Sequence, residues 1–235
     1  NEVKLKGKIF LSLVIFLLFI YSICRIFFIY YNRSNLDIQD TKTFFSVLIH
    51  GLRFDLSSIL LINVLCLIML WLPARILVHK RVSYLNKMLF LTINIIFILF
   101  NCIDIVYFPF VQKRMQTDAF LFVTGDKGNE LFGLLPTFIK DYILIWLLFV
   151  ILSYILYKFS KREFQKVDNI LKEKNSTISY IIFPVITFSI FMIGARGGLQ
   201  LRPIGVFQAF DAVGIINSSA TLNTTFTIIQ SLDKK

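Results

Sequence analysis

Long apolar runs alternate with short polar segments along this chain, and the pattern predicts a membrane protein. Apolar side chains dominate residues 9–31, 54–72, 85–108, 139–157 and 178–195. Each run is long enough to cross a bilayer as a helix. Helices are required because hydrocarbon offers backbone N–H and C=O groups no partner. The sequence therefore predicts an all-α fold, a polytopic bundle of five transmembrane helices.

Composition and charge support this class. Of the 235 residues, 57% are hydrophobic and only 17% are charged, whereas about a quarter of the residues of a soluble domain are charged. The net charge of +11 is compatible in principle with nucleic-acid binding. The basic residues, however, lie in short segments between the apolar runs, which is the distribution that orients membrane proteins. We expect no nucleic-acid partner.

The distribution of lysine and arginine predicts an N-terminus inside the cytoplasm and a C-terminus outside. Basic residues are densest before the first run, between the second and third runs, and between the fourth and fifth runs. Such segments face the cytoplasm. The first run is too long for a cleaved signal peptide and lacks a small-residue cleavage site, so we expect a retained signal anchor. Everything after Ala195 is then predicted to lie outside.

Two outer segments have a character of their own. The long loop over 109–138 contains short apolar patches at 119–123 and 131–139, broken by Gly and Pro, and we predict interfacial helices there. The tail from Leu199 onward is rich in Ser, Thr and Asn. We therefore predict a five-helix transmembrane domain over 1–198 and an extracellular juxtamembrane segment over 199–235.

Charged residues lie in or near the predicted spans, where they are costly. Arg25 lies inside the first run, so its side chain either snorkels to the interface or pairs with an acidic residue on a neighbouring helix. Arginine suits phosphate because its planar fork donates two parallel hydrogen bonds, but a structural salt-bridge cluster needs the same residue types. The candidates for lipid-headgroup or inter-domain contacts are Arg53, Asp55, Asp104, Arg114, Arg196 and Arg202.

Two further patterns concern helix packing and helix ends. Asn94, Asn101 and Asp104 share one face of the third predicted helix, which indicates either interhelical hydrogen bonding or the wall of a cleft. The Gly197-Gly198 pair in ARGGLQLRP gives the backbone freedom to leave the fifth helix at an angle.

The sequence predicts neither a catalytic residue nor a metal site within this chain. The three cysteines fall inside apolar runs without paired spacing, and His50 and His79 stand alone. Buried inert thiols are the expected role of the cysteines.

Four stretches in order, GLRFDLSSILLINVL, NCIDIVYFPFVQKR, ARGGLQLRPI and LNTTFTIIQSL, resemble the membrane half of the lipoteichoic-acid synthase family. These proteins are sulfatase-like phosphoglycerol transferases of bacterial cytoplasmic membranes. The resemblance implies five transmembrane helices followed by an extracellular domain, in which a threonine nucleophile and a divalent metal, commonly manganese, act on an anionic membrane lipid. It implies no cofactor for the present residues, and it implies two partners: membrane lipid and that extracellular domain.

Other functions are compatible with the same pattern. The membrane domain of a phosphoethanolamine transferase also joins five helices to a related extracellular domain. A small transporter or channel subunit predicts paired broken helices near the bilayer midplane. A scaffold that binds a partner protein is the third alternative.

Overall fold

The computed structural model describes residues 2–71, 80–120, 139–170, 179–200 and 202–232, and the regular secondary structure in these ranges is helical. The predicted all-α class is confirmed for these residues. A single turn of 3-10 helix, Arg33–Asn35, follows the first helix. The helices are α1 (Glu2–Tyr31), α2 (Thr41–Ile62), α3 (Val64–Leu70), α4 (Lys80–Val111), α5 (Ile143–Ile170), α6 (Ser179–Ala195), α7 (Val206–Thr221) and α8 (Thr224–Leu232).

Four described helices are long and apolar enough to span a membrane. The spans are Leu5–Tyr31 in α1, Thr41–Ile62 in α2, Arg81–Val111 in α4 and Ile143–Lys166 in α5. Helix α6 matches the fifth predicted run, and its 17 described residues rise about 25 Å, which is at the short end of the range for a transmembrane helix. The chain is thus a membrane protein by these four helices, and the fifth crossing stays a prediction.

The second helix begins earlier than predicted. The apolar run was expected to start at residue 54, yet α2 starts at Thr41. Asp40 caps the helix by accepting the N–H of Thr43 at 3.1 Å, and such a cap satisfies one of the four unpaired donors of a helix start. Arg53 and Asp55 consequently lie inside a helix and do not open it.

Asn63 lies between α2 and α3, and its side chain is hydrogen-bonded to α4. Its side-chain N–H donates to Asn94 Oδ1 at 3.1 Å, and Asn94 returns a bond to Asn63 Oδ1 at 2.8 Å. Both side chains are buried. The face of α4 that carries Asn94 therefore makes interhelical hydrogen bonds. Helices α4 and α5 extend beyond the predicted runs, and most of the predicted interfacial helices fall at 121–138, outside the described residues.

The Ser/Thr/Asn-rich tail packs among the other helices. Residues 220–228 are all buried. The hydroxyl groups of Tyr21 and Thr225 are hydrogen-bonded at 2.9 Å, and Asn101 donates to Thr225 Oγ1 at 3.3 Å. Tyr21 and Asn101 lie about three turns before the ends of α1 and α4, so the α7–α8 turn lies beside these helices. Residues on the two sides of the predicted boundary at residue 198 thus contact each other, and the boundary itself stays a prediction.

The Gly-Gly pair ends α6 as predicted. Gly198 N–H donates to Ile193 O and Gly197 N–H donates to Gly194 O, both at 2.9 Å, which is the Schellman arrangement. Gly197 has φ +76°. The N–H of Ile204 then bonds Arg196 O at 2.9 Å and so joins the two ends of a loop, called here the Arg196 loop (described residues 196–200 and 202–204).

We expect Gly197→Ala to destabilise the protein by more than about 1 kcal/mol, because alanine resists this backbone conformation. The added methyl group would also lie 2.6 Å from Ile204 Cβ. The measurement is the melting temperature of the purified chain in detergent. Gly7→Ala is the matched control: it adds a methyl group into open space within a helix and should stabilise by up to about 1 kcal/mol. Equal melting of the two variants would contradict this account.

Candidate functional site

Two buried arginine–aspartate pairs lie at the end of the bundle where α1 and α4 finish, called here the Tyr31 end. Arg25 on α1 pairs with Asp55 on α2 at 2.5 Å, and these side chains are 2% and 0% exposed. Arg114, just beyond α4, pairs with Asp104 on α4 at 2.9 Å. Of the two alternatives for Arg25, snorkelling and ion pairing, the structure shows the ion pair.

Both guanidinium groups bind the C-terminal carbonyl groups of α7. Arg25 Nη1 donates to the carbonyls of Ala220 and Thr221. Arg114 donates from Nε to Ser219 O at 2.7 Å and from Nη2 to Leu222 O at 2.8 Å. The last carbonyls of a helix have no intrahelical donor and carry partial negative charge. The two cations therefore satisfy and neutralise a helix end that would otherwise be buried without partners.

The aspartates hold the start of α8. Asn223 caps this helix by accepting the N–H of Phe226 at 2.8 Å, and its amide donates to Asp55 Oδ1 at 2.7 Å. Thr224 donates its hydroxyl proton to Asp104 Oδ2 at 2.7 Å. Helices α7 and α8 with the turn between them form a helical hairpin, and the four charged residues bind both sides of its turn. Together they are called here the hairpin clamp: Arg25, Asp55, Asp104 and Arg114.

Gly51 and Phe28 contact the two guanidinium groups of the clamp. Arg25 lies directly against Gly51, whose carbonyl accepts from Nη2 at 3.1 Å, and a side chain at position 51 would occupy the place of the guanidinium. The Arg114 guanidinium lies 3.4 Å from the centre of the Phe28 ring, a cation–π contact. Burial lowers the pKa of Arg114 and Asp104 opposes that shift. Arginine nonetheless stays protonated in proteins.

The other predicted arginines belong to a separate, more exposed region. Arg53 donates from Nε to Gly197 O at 2.6 Å and from Nη2 to Gln200 Oε1 at 2.5 Å, so it fastens the Arg196 loop to α2. Arg196 reaches Gln200 O at 3.3 Å within the same loop, and Arg202 is exposed.

The six candidates are therefore divided between two sites. Asp55, Asp104 and Arg114 bind protein groups inside the clamp. The residues at the Arg196 loop are Arg53, Arg196 and Arg202.

Sequence reasoning missed the partners that the tail contributes. Asn223, Thr224 and Thr225 are buried and contact Asp55, Asp104 and Tyr21. The available signal was the run LNTT, which is rich in hydrogen-bonding groups and is followed directly by the amphipathic segment FTIIQSL. A polar run of this kind is normally interpreted as exposed, because a single chain gives no indication of which polar groups have buried partners.

Among the described residues, no group of three or more His, Cys, Asp or Glu side chains is placed to hold a metal ion. Cys24, Cys66 and Cys102 are buried free thiols. No family model, curated protein or solved structure matches the chain. The resemblance to the lipoteichoic-acid synthase family therefore stays a hypothesis.

Replacing Asp104 with Asn removes a charge, keeps the side-chain shape and leaves Arg114 buried beside a neutral amide. Breaking a buried pair from one side costs about 3–5 kcal/mol because the other charge is uncompensated. We expect Asp104→Asn, and likewise Asp55→Asn, to lower the melting temperature in detergent by about 6 °C or more.

Asp118→Asn is the matched control for these variants. Its pair with Lys113 measures 3.0 Å, but the two side chains are about half exposed (53% and 49%). An exposed pair contributes about 0–1 kcal/mol, so this variant should melt close to the wild type. If a clamp variant has the same melting temperature as Asp118→Asn, the buried charges do not hold the hairpin.

Proposed function

We propose that this chain is the membrane domain of a phosphoglycerol transferase or sulfatase-like enzyme at the outer face of the bacterial cytoplasmic membrane. In this proposal α6 is the fifth crossing, the N-terminus is cytoplasmic and the Tyr31 end is outside. The domain anchors the enzyme, holds a following catalytic domain in place and presents a lipid headgroup to it. No catalytic residue is assigned within the present chain.

The proposal rests on one observation: the four stretches that resemble the lipoteichoic-acid synthase family contribute to sites at the same end of the bundle. GLRFDLSS supplies Asp55 to the clamp and Arg53 to the Arg196 loop, and NCIDIVYFPFVQKR supplies Asp104 and Arg114. ARGGLQLRPI is the Arg196 loop, and LNTTFTIIQSL is the α7–α8 turn with α8. Stretches that are far apart in sequence thus build two sites, the clamp and the Arg196 loop, which are linked by Asp55 and Arg53 of α2, as expected if the resemblance reflects shared architecture.

The clamp also fixes where the chain leaves the bundle. The last turn of α8 is held by a bond from Thr117 N–H to Ser231 Oγ at 3.1 Å, and Gln230 reaches Ile204 O at 3.5 Å. A domain attached after α8 would begin beside the Arg196 loop. Arg196 and Arg202 are then suited to contact the phosphate of a lipid while that domain acts on it.

Chemistry in the proposed enzyme belongs to the domain after this chain. A divalent metal, manganese by the resemblance, would polarise the phosphoryl group, and a threonine would take phosphoglycerol from phosphatidylglycerol. The residues of the present chain would bind and orient the lipid.

A phosphoethanolamine transferase is the alternative with the same architecture, and it differs in the headgroup. A transporter is favoured by one observation, the helix interruptions at Asn63 and at the α7–α8 turn, since interrupted helices form transport sites. Both interruptions are closed by protein groups, the first by Asn94 and the second by the clamp. Contacts within the protein therefore account for both helix interruptions.

Reporter fusions test the proposed topology. Alkaline phosphatase fused after Lys235 should be active and green fluorescent protein there dark, because that position is predicted to be outside. Fusions after Lys174, between α5 and α6, should give the opposite pair of signals. A fluorescent, phosphatase-negative fusion after Lys235 would overturn the five-span arrangement and with it the outer location of the Arg196 loop.

Turnover of phosphatidylglycerol by the complete gene product tests the activity. We expect diacylglycerol release in membranes, and we expect Arg196→Ala with Arg202→Ala to reduce kcat/KM about tenfold, because a charge-assisted hydrogen bond contributes about 1.5–3 kcal/mol. Lys113→Ala, an exposed cation outside the loop, is the control. Turnover of phosphatidylethanolamine alone would favour the alternative transferase, and turnover of neither lipid would contradict both.

A further inference from the structure

A polar groove of about 680 Å³ lies between the segment that joins α1 to α2 and the kinked helix α7. One wall carries Asp37, Asp40, Lys42 and Ser46, and the other includes Val213 and Asn217. The groove is distinct from the Arg196 loop, since Arg53 lies about three turns along α2 from Lys42. A second cavity, inside the bundle near Asn63 and Asn86, measures about 20 Å³ and has room for little more than water.

Specific contacts hold the walls of the groove in place. Asp37 N–H donates to Asn217 Oδ1 at 2.9 Å, and the Asn217 amide donates back to Asp37 O at 2.8 Å. Helix α7 bends at Gly214, which has φ +80° and ψ +165°, a conformation that only glycine adopts readily. The groove residues Ala212 and Val213 precede this bend and Asn217 follows it.

The side chains that line the groove determine which kind of ligand can bind there. Asp37 and Asp40 present carboxylate acceptors, Thr43 and Ser46 present hydroxyl groups, and Lys42 presents a cation. Hydrogen bonds from Thr43 lower the pKa of Asp40, so this carboxylate is ionised at neutral pH. A complementary ligand donates hydrogen bonds from one end and carries a negative group at the other.

The groove opens beside apolar surface. Phe45 and Ile49 on α2 are 55% and 64% exposed, and Ile215 and Ile216 on α7 are 77% and 60% exposed. Lys42 and Ser46 lie in the first turns of the candidate span that starts at Thr41. A polar cavity at the end of a membrane span, flanked by exposed apolar side chains, matches the headgroup and the acyl chains of a lipid.

We propose that this groove binds a phospholipid headgroup that carries hydrogen-bond donors. The phosphate lies near Lys42, the hydroxyl or ammonium end lies on Asp37 and Asp40, and the acyl chains follow the exposed faces of α2 and α7. Phosphatidylglycerol, with hydroxyl donors, and phosphatidylethanolamine, with an ammonium donor, are the two test lipids that represent this chemistry. The inference rests on the proposed function, which needs lipid at this end of the bundle, but it concerns binding and not turnover.

Native mass spectrometry of the purified 235-residue chain, released from phosphatidylcholine nanodiscs doped with one test lipid, measures this binding. Phosphatidylcholine has no donor in its headgroup and serves as the reference lipid. We expect at least one of the two test lipids to be retained about tenfold more strongly than phosphatidylcholine, the gain of one charge-assisted hydrogen bond. Retention of both at the level of phosphatidylcholine would overturn the proposal.

Variants locate the binding and identify the headgroup. In Asp37→Asn with Asp40→Asn, asparagine still caps α2, and amide oxygens still accept from hydroxyl groups but no longer attract an ammonium group. Retention of phosphatidylethanolamine should fall about tenfold, whereas retention of phosphatidylglycerol should change little. Ser46→Trp, which fills the groove, should remove both preferences, and Asp118→Asn should leave them unchanged.

Failure of this inference can be told apart from failure of the proposed function. Preferential retention that Ser46→Trp abolishes supports the groove even if the complete gene product turns over no lipid. Preferential retention that survives both Ser46→Trp and the double asparagine variant places the lipid elsewhere and overturns the proposal. If Ser46→Trp does not fold, the double asparagine variant decides for phosphatidylethanolamine. For phosphatidylglycerol the deciding variant is Asp37→Ala, which removes an acceptor from the groove without adding volume and should lower the retention of that lipid to the level of phosphatidylcholine.

Discussion

The pairing of Arg25 with Asp55 and of Arg114 with Asp104 is the interaction on which this architecture depends. A turn between two helices exposes unpaired carbonyl and amide groups, and at membrane depth such backbone is tolerated only where protein surrounds it. The two arginines occupy the carbonyl side of the α7–α8 turn, while Asp55 and Asp104 hold the amide side through Asn223 and Thr224. The set carries no net charge, so burial does not leave an isolated ion.

The two ion pairs contribute more to the unique position of the α7–α8 hairpin than to the stability of the fold. Buried ion pairs often contribute less to stability than well-packed apolar residues would, because both charges lose their hydration. What the pairs provide is a unique position: each guanidinium binds two carbonyls in the last turn of α7 or at its C-cap residue Leu222, and slippage of the hairpin by one residue would leave them unmatched. The Arg196 loop and the groove at Asn217 both adjoin α7, so their geometry follows from the same anchoring.

The sequence predicted the helical class and left the contacts of Arg25 and Asn94 as alternatives, but it predicted the tail poorly. Apolar runs identify α1, α4 and α5 because lipid-facing length is a local property. The Schellman end at Gly197 was predictable for the same reason, since it needs only neighbouring residues. The burial of Thr225 was not predictable in this way, because its partners Tyr21 and Asn101 lie far away in the chain. The start of α2 at Thr41 was missed although its cap, Asp40, is a local signal. Local composition cannot tell a hydrated threonine from a buried one.

The order in which the clamp partners are synthesised has a consequence for biogenesis. Arg25 and Asp55 are 30 residues apart and Asp104 and Arg114 only 10, whereas the carbonyls they bind come 195 and 105 or more residues later. Both members of each ion pair are therefore synthesised well before the carbonyl groups that they bind. Pairing of these charges during insertion would neutralise them before the α7–α8 segment exists.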